Sequence, residues 1–546
     1  MKADRVIKSN VIFDSIADEP FAGGIAVKGN KIQAVVKGEG IDEYIGPETE
    51  VLEFTDKLVM PSFIDAHMHF VDGAINNSEY MCSTLIETTS EAEAVEMLKA
   101  YAEAHPEEKT IRGTGWHPAM WNDAPLPTKK SLDEVFPDKP VYLLSADFHT
   151  MWLNSKGLEE AGVSTEWKLS SGKVGVDENG EPNGLLFEPE AWTKAKPFMH
   201  NFTDEQWMEL YGDFFEDAKK WGIAGTSDMA GSFVGEECDR MLGYVKQLEE
   251  NGTLATRLHV YMNLEEADEH IEEVKALKAK IDTEKIDIAG MKGFIDGTTS
   301  TYTAYMIDPY EDNPETKGAM CPLCPQEITE PRIIKSNANG LPVRVHSIGD
   351  KAVRMCLDMY EASNKANGDH GCINTVEHIE QIHPDDISRF GGLKVIPSMQ
   401  PMHLTLDYSE DISEKVTRCG MKRACYNWVH KSIMKAGGEL AFGTDYPVVH
   451  FNPFTSVHAA VSRVTPDGLP CSVNPWECIE LADALKAYTI GASKAYGTHE
   501  RVGALKEGML ADIVVVDCNL FDIPINDIQH AVINTTIFDG NVVYEK

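Results

Sequence analysis

Two histidines separated by one residue follow an apolar segment, in the stretch Asp65-Ala-His67-Met-His69. In a β-strand, residues i and i+2 project to the same side, so both imidazoles can reach one metal ion from the end of one strand. Imidazole suits zinc and other divalent first-row ions. The pair therefore predicts a metal site, with two histidines used in hydrogen bonding or packing as the alternative.

Other predicted strands also end in residues with ligand-type side chains. Each of these residues follows a short apolar run, which is where a parallel α/β barrel places its active site. Taken singly, a histidine after a strand is more often structural, and an aspartate there often caps a helix. Together they predict a site for one or two divalent metal ions, with zinc as the first expectation. The predicted ligands are His67, His69, Lys292, His346, His378 and Asp445.

The middle of the chain alternates short β-branched runs with helical segments, the pattern of βαβ units around a parallel sheet. It predicts an α/β fold in which an eight-stranded (β/α)8 TIM barrel spans residues 59–498. The stretch from about 76 to 200 is longer than one βα unit needs, so we expect an insertion or lid there. The candidate strands are residues 58–65, 141–144, 223–227, 290–295, 343–345, 373–376, 394–398 and 440–444.

Both ends of the chain are rich in predicted strands. Gly29-Asn30 separates two short strands near the start, and Asp539-Gly540 separates two near the end. Both dipeptides are hairpin signals. We therefore expect residues 1–58 and 499–546 to form one small β-sandwich domain.

The composition narrows the class of protein. The chain has 546 residues and a formal net charge of −39, which argues against nucleic acid or anionic lipid as a partner. Eleven scattered cysteines, an odd number, favour a reducing compartment over a disulfide framework. No signal-peptide core and no apolar run of about 18 residues are found. The expectation is a cytoplasmic enzyme for a small-molecule substrate, with a homodimer as the working guess.

The order His-x-His, Lys, His, His, Asp resembles that of the amidohydrolase superfamily. The surrounding stretches resemble its amidohydrolase-3 branch, which contains N-substituted formamide deformylases and YtcJ-like proteins, and the resemblance covers nearly the whole chain. The stretches that carry it are Pro61-Ser-Phe-Ile-Asp-Ala-His-Met-His69, Asp296-Gly-Thr-Thr-Ser300, His346-Ser-Ile-Gly-Asp350, Glu377-His378, Gln400-Pro-Met-His403, Gly443-Thr-Asp-Tyr-Pro447 and Gly503-Ala-Leu-Lys-Glu-Gly-Met-Leu-Ala-Asp-Ile513.

The resemblance implies a role for each matching position. His67 and His69 would bind the more buried metal ion together with Asp445. The more exposed ion would be bound by the residues His346 and His378. Lys292 would be carboxylated by carbon dioxide and bridge the two ions, because an unmodified ammonium would be repelled by them. The alternatives are a mononuclear site with unmodified Lys292 and a lysine that only forms an ion pair.

Hydrolysis by metal-activated hydroxide follows from this set. Asp445 would take a proton from the attacking water and deliver it to the leaving nitrogen of an amide. A cyclic amide, a heterocyclic amine or an ester would serve the same chemistry. Because a fold does not fix a function, a regulatory or binding protein that keeps the barrel without turnover is an alternative of another class. The complete ligand set argues against it.

Several further residues are candidates for the site. His149 is predicted to contact substrate or a tetrahedral oxyanion, with a loop-anchoring histidine as the alternative. Trp116, with Trp121 and Trp152, would line an apolar pocket or belong to a core. His403 would face the site or cap a turn.

Arg344 stands in a strand where a small apolar residue is expected. Its side chain should project to the same side as His346, where it would bind a substrate carboxylate or form an internal ion pair with Glu377 or Asp296. Cys321 and Cys324 form a single C-x-x-C, only half of a zinc site, and we read them as a chance pair.

Overall fold

The computed structural model describes the chain apart from residues 118–120, 122–124, 147–148, 170–171, 230–234, 265–267, 322–323, 407–413 and 472. The chain divides into two compact units. Unit 1 comprises Met1–Val71 and Phe215–Lys546, and unit 2 comprises Asp72–Phe214. Unit 1 therefore carries all six predicted metal ligands, whereas unit 2 carries His149 and Trp116.

The strands form sheets of seven and eight strands in unit 1 and a sheet of five strands in unit 2. Among the described residues the strands are β1 (Arg5–Ile12), β2 (Phe21–Lys28), β3 (Lys31–Lys37), β4 (Glu50–Pro61), β5 (Phe63–Ile64), β6 (Ile111–Trp116), β7 (Val141–Ser145), β8 (Thr150–Leu153), β9 (Lys173–Val176), β10 (Pro182–Phe187), β11 (Ile223–Met229), β12 (Arg257–Asn263), β13 (Ile286–Phe294), β14 (Val343–Ser347), β15 (Thr375–His378), β16 (Ile396–Met399), β17 (Ala441–Phe442), β18 (Ile513–Val516), β19 (Ile533–Phe538) and β20 (Asn541–Glu545).

Helices lie between successive strands of the eight-stranded sheet from β11 onward, as expected for βα units. In the described part of the chain, no helix combines the length and the apolar character needed to span a bilayer. The helices are α1 (Phe70–Asn76), α2 (Glu91–Ala104), α3 (Lys129–Val135), α4 (Ser155–Glu160), α5 (Pro189–Trp192), α6 (Lys196–Met199), α7 (Asp204–Lys220), α8 (Gly235–Glu250), α9 (Asp268–Ile281), α10 (Gln326–Ala338), α11 (Asp350–Asn367), α12 (Arg389–Leu393), α13 (His403–Leu406), α14 (Glu414–Ala424), α15 (His430–Lys435), α16 (Pro453–Ser462), α17 (Leu481–Lys486) and α18 (Ala492–Ala495).

The eight-stranded sheet is parallel, in the order β17-β16-β15-β14-β13-β12-β11-β5. Backbone hydrogen bonds also join the segments at its two ends. Ala66 donates its N–H to the carbonyl of Phe442 at 2.9 Å, and Asp445 donates to the carbonyl of His67 at 2.7 Å. Since all the strands run the same way, their carboxyl ends share one edge, and the predicted ligands gather there.

One strand of this sheet was not predicted from the sequence. Strand β12 begins with Arg257, Leu258 and His259. The two polar residues interrupt the apolar run by which a buried strand is recognised in a sequence. Both polar side chains have internal partners: Arg257 pairs with Asp512, and His259 pairs with Asp287. Conversely, residues 141–144 do form a strand, but that strand is β7 of the five-stranded sheet.

The seven-stranded sheet combines both termini, in the order β20-β19-β18-β4-β1-β2-β3. The two predicted hairpins are confirmed, because Lys28 pairs with Lys31 and Phe538 pairs with Asn541. Strand β4 pairs with β1 and with β18. The predicted boundary between residues 58 and 59 therefore falls inside a strand. A two-layered sandwich at this place stays a prediction.

Unit 2 has its own apolar core. Its sheet has the order β6-β7-β8-β10-β9, and Trp116 at the end of β6 is fully buried. The indole Nε1–H of Trp116 donates to the Leu143 carbonyl at 3.0 Å, and its ring centroid lies 5.9 Å from that of Trp121 and 5.6 Å from that of Trp152. This packing favours a core role for Trp116 over a place in a substrate pocket.

A buried ion-pair cluster ties the eight-stranded sheet to the seven-stranded sheet. The Arg257 guanidinium of β12 lies 3.0 Å from Asp512, just before β18, and 2.7 Å from Asp539, just after β19. Because Arg257 and Asp512 are both almost fully buried, removal of one partner leaves an uncompensated charge in the interior.

We predict that Arg257→Met lowers the free energy of unfolding by about 3–5 kcal/mol, measured by urea unfolding. Lys28→Met is the matched control, because Lys28 and Asp4 form an exposed pair that contributes little to stability. Equal shifts of the two urea midpoints would contradict the role assigned to Arg257.

Candidate metal centre

The predicted ligands meet in one cluster at the carboxyl edge of the eight-stranded sheet. Within the described residues, His67, His378 and Asp445 each offer a ligand atom, and these atoms all lie within 4.8 Å of one another. His69 Nε2 lies 3.3 Å from Asp445 Oδ1. Lys292 is buried and places its Nζ 3.4 Å from His67 Nε2. These five side chains are therefore neighbours in one cluster.

His346 joins the cluster on the side of His378. The centroids of the two rings are 4.4 Å apart, and His346 Nε2 lies 3.4 Å from the Gly297 carbonyl. The backbone of His378 has φ 75°, a left-handed conformation that non-glycine residues seldom adopt. The structure therefore brings all six predicted ligands together.

Asp65 fixes the two segments that carry His67 and Asp445. Its Oδ1 accepts the N–H groups of His67 and Thr444 at 3.1 Å each, and its Oδ2 accepts the Thr444 hydroxyl at 2.7 Å. A Cβ atom added to Gly443 would lie 2.4 Å from His67 N, so the close approach requires glycine. Burial raises the pKa of Asp65 to about 7.

A second buried aspartate fixes the loops beyond β13 and β14. Asp296 accepts the backbone N–H groups of Tyr305 and Gly349 at 2.8 Å each and that of Ile348 at 3.0 Å. Its Oδ1 also lies 3.8 Å from His346 Nε2. Asp296 thereby sets the backbone that surrounds His346.

Hydrogen bonds at Nδ1 set the orientation of two of the imidazoles. His67 Nδ1 contacts Glu377 Oε2, and His378 Nδ1 lies 2.9 Å from Gln400 Oε1. A carboxylate or amide oxygen accepts a hydrogen bond, so each Nδ1 carries the proton and each Nε2 carries the lone pair. Neither hydrogen bond was predicted from the sequence, although a carboxylate inside a buried strand, Glu377, was an available signal.

The electrostatic environment keeps the imidazoles of His67 and His346 unprotonated near neutral pH. Burial, with the nearby Lys292 amine, lowers the pKa values of His67 and His346 to about 4. Burial also lowers the pKa of Lys292 to about 8, although the carboxylates of Glu377 and Asp445 oppose this shift. A neutral imidazole offers a lone pair, which is the form that binds a metal ion.

The charge and the surroundings of the Asp445 carboxylate indicate that the cluster fits a cation. Burial disfavours its charge, but the imidazoles of His67, His69 and His378 hold its pKa well below the usual range. Its buried Oδ1 has no hydrogen-bond partner among the described residues, yet it lies 3.4 Å from His67 Nε2. Acceptor atoms that face each other in this way match the nitrogen and oxygen donor set of a divalent first-row ion.

His403 faces the same cluster. Its Nε2 lies 3.9 Å from Asp445 Oδ2, and its ring lies nearly parallel to that of His378. On its other side, His403 Nδ1 lies 3.8 Å from Glu380, which is paired at 2.5 Å with the buried Lys415. The Glu380–Lys415 pair could not be predicted from the sequence, because 35 positions separate the two residues.

Arg344 lies in the interior and is fully buried. It forms an ion pair with Glu377 at 3.5 Å, the internal pairing that the sequence left as an alternative. This position favours an internal role over the binding of a substrate carboxylate.

The remaining candidates are His149 and the pair of Cys321 and Cys324. His149 in unit 2 contacts Glu188 Oε2 through Nδ1 at 2.8 Å, and its catalytic role stays a prediction. The Cys324 N–H donates to the Cys321 carbonyl at 2.9 Å, and the two residues between these cysteines lie outside the described part of the chain.

Known proteins with similar sequences span nearly the whole chain. LONG AFTER FAR-RED 3 from Arabidopsis thaliana is 28% identical over 98% of this chain and 91% of its own. The putative amidohydrolase YtcJ from Bacillus subtilis is 28% identical over 94% of both chains. N-substituted formamide deformylase from Arthrobacter pascens is 24% identical over 96% of this chain and 95% of its own.

A solved structure and a family model complete the comparison. The crystal structure of an uncharacterized metal-dependent hydrolase from Pyrococcus horikoshii superposes with a TM-score of 0.77 and 25% identity, covering 95% of this chain and 99% of the other. The model of the amidohydrolase family matches residues 50–544. The chain therefore belongs to the amidohydrolase family and is a metal-dependent hydrolase of that superfamily.

Proposed function

We propose that this hydrolase cleaves a carbon–nitrogen bond other than a peptide bond, in an amide of the N-substituted formamide type. The observation that carries the proposal is the convergence of His67, His378 and Asp445 within 4.8 Å at the carboxyl edge of the sheet. The substrate class is taken from the Arthrobacter pascens deformylase, which matches nearly the full length of the chain.

The six ligands would hold two divalent ions, with zinc proposed first. His67, His69 and Asp445 would hold one ion, and His346 with His378 would hold the other. When bound, such ions supply Lewis acidity and lower the pKa of water. Lys292 would bridge them as a carbamate, formed when its neutral Nζ bonds to carbon dioxide and loses a proton. Its burial beside His67 Nε2 supports this role.

Asp445 is the proposed proton carrier. Its carboxylate would accept a proton from the attacking water and return that proton to the leaving nitrogen as the carbon–nitrogen bond breaks. The carboxylate of Asp445 is ionised before water attacks, which the first step requires. His403 would also contact the substrate, since its Nε2 lies 3.9 Å from Asp445 Oδ2.

We also propose that the eight-stranded sheet is a closed (β/α)8 barrel. The hydrogen bonds from Ala66 to Phe442 and from Asp445 to His67 support closure, because they join the two edge segments of the sheet. Closure would hold His67 and Asp445 on neighbouring strand ends.

A substrate panel tests the proposed reaction. The zinc-loaded protein is incubated with N-substituted formamides, a cyclic amide, a heterocyclic amine and an ester, and formate and amine release are measured. Release of formate from the formamides is expected. Turnover of only the cyclic amide, the amine or the ester would reassign the bond that is cleaved, and no turnover of any formamide would overturn the proposed substrate class.

We predict that Asp445→Asn lowers kcat by about 10²–10⁴-fold, because an amide cannot carry the proton. The measurement is formate release, with bound metal counted in the same samples. Asp287→Asn is the matched control, since Asp287 lies near the start of β13, away from the carboxyl edge of the sheet. An active Asp445→Asn variant would remove the proton-transfer role.

We predict that Lys292→Ala loses at least one metal ion per chain and regains activity with a short carboxylic acid, which replaces the carbamate oxygens. Elemental analysis and an activity assay with added acetate measure the two effects. Lys219→Ala serves as the control, because this lysine pairs with Glu216 on a helix. Unchanged metal stoichiometry in Lys292→Ala would defeat the bridging role.

A further inference from the structure

The Arg344 guanidinium is fully buried among partners on four segments of unit 1. Its Nη1 donates to the Ala66 carbonyl at 2.8 Å, and its Nη2 donates to the Ala495 carbonyl at 2.9 Å. The planar group contacts two neighbouring aromatic rings, 4.5 Å from the centroid of Tyr261 and 4.6 Å from that of Tyr496. These contacts fix the guanidinium in position and direction, because a cation over an aromatic face is held by the ring quadrupole.

Glu377 connects this guanidinium to the metal cluster. It is fully buried, with Oε1 3.5 Å from Arg344 Nη1 and in contact with the hydroxyl of Thr375. Its other oxygen, Oε2, contacts His67 Nδ1. One carboxylate therefore receives a cation on one side and an imidazole N–H on the other.

We propose that Arg344 and Glu377 are positioning residues that set the affinity of His67 for its cation. Arg344 holds the Glu377 carboxylate in place, and Glu377 accepts the hydrogen bond from His67 Nδ1. The lone pair on Nε2 then faces Asp445 Oδ1, 3.4 Å away. This inference rests on the proposed metal-dependent function and adds a source of cation affinity outside the six ligands.

The geometry distinguishes this role from two others. No part of Arg344 is exposed, so a substrate carboxylate does not reach it. A role in stability alone does not explain the pair, because a buried ion pair stabilises a fold little more than a well-packed apolar pair does. Both charges must be desolvated. An apolar pair cannot accept a hydrogen bond from His67 Nδ1, whereas Glu377 does.

The test measures zinc affinity of the apo-protein by competition with a chromophoric chelator. Glu377→Leu, which removes the acceptor, is expected to weaken zinc binding by roughly 10- to 100-fold. Glu377→Gln keeps an acceptor oxygen and should weaken it less. The double variant Arg344→Met/Glu377→Leu should bind zinc no more weakly than Glu377→Leu, because Arg344 acts through Glu377.

Arg257→Met is the matched control, since it removes a buried arginine of the same unit that contacts Asp512 and Asp539. It should lose stability yet bind zinc with wild-type affinity. If the single Arg344→Met variant does not fold, the double variant is measured instead. The double variant removes both charges, so neither is left unpaired.

Three outcomes separate the inference from the proposed function. If the wild-type protein binds zinc, and Glu377→Leu and the double variant both bind it as tightly as the wild type, the positioning role is overturned while the metal site stands. A strictly additive loss of affinity from Arg344→Met and Glu377→Leu would also overturn it. If wild-type protein binds neither zinc nor cobalt, the proposed function itself fails, and this inference fails with it.

Discussion

Two imidazoles and a carboxylate place their buried ligand atoms within 4.8 Å of one another, which is costly unless these polar atoms share a partner. His67 and His378 are neutral at physiological pH because burial lowers their pKa values, and Asp445 is ionised. A cation bound between them would be that partner. The rest of unit 1 can be understood as the structure that holds these acceptors in place.

The support consists of buried polar groups that each fix one part of the cluster. Asp65 joins the segments of His67 and Asp445, and Glu377 and Gln400 orient two of the rings. Buried polar groups of this kind are costly unless they are paired, so their pairing makes the arrangement both rigid and specific. The positive φ of Asp445, 60°, fits this picture, because a strained backbone persists only where its surroundings determine it.

The sequence was sufficient to predict that these six side chains meet at one edge of the sheet, because residue type and position at a strand end were enough to select them. That they bind metal stays a prediction. It was not sufficient for β12, where Arg257 and His259 break the apolar pattern and only their distant partners explain their burial. The same limit applies to the contact between Glu377 and His67 and to the Glu380–Lys415 pair. Spacing along a strand predicts which side a residue faces, but not which side chain from another strand meets it there.

The most direct measurement is the number of metal ions per chain in protein purified without added metal, determined by elemental analysis. The account predicts one or two divalent first-row ions per chain, lost on treatment with a chelator and regained when zinc is added. Protein that contains no such ion and takes up none from a zinc or cobalt solution would contradict it.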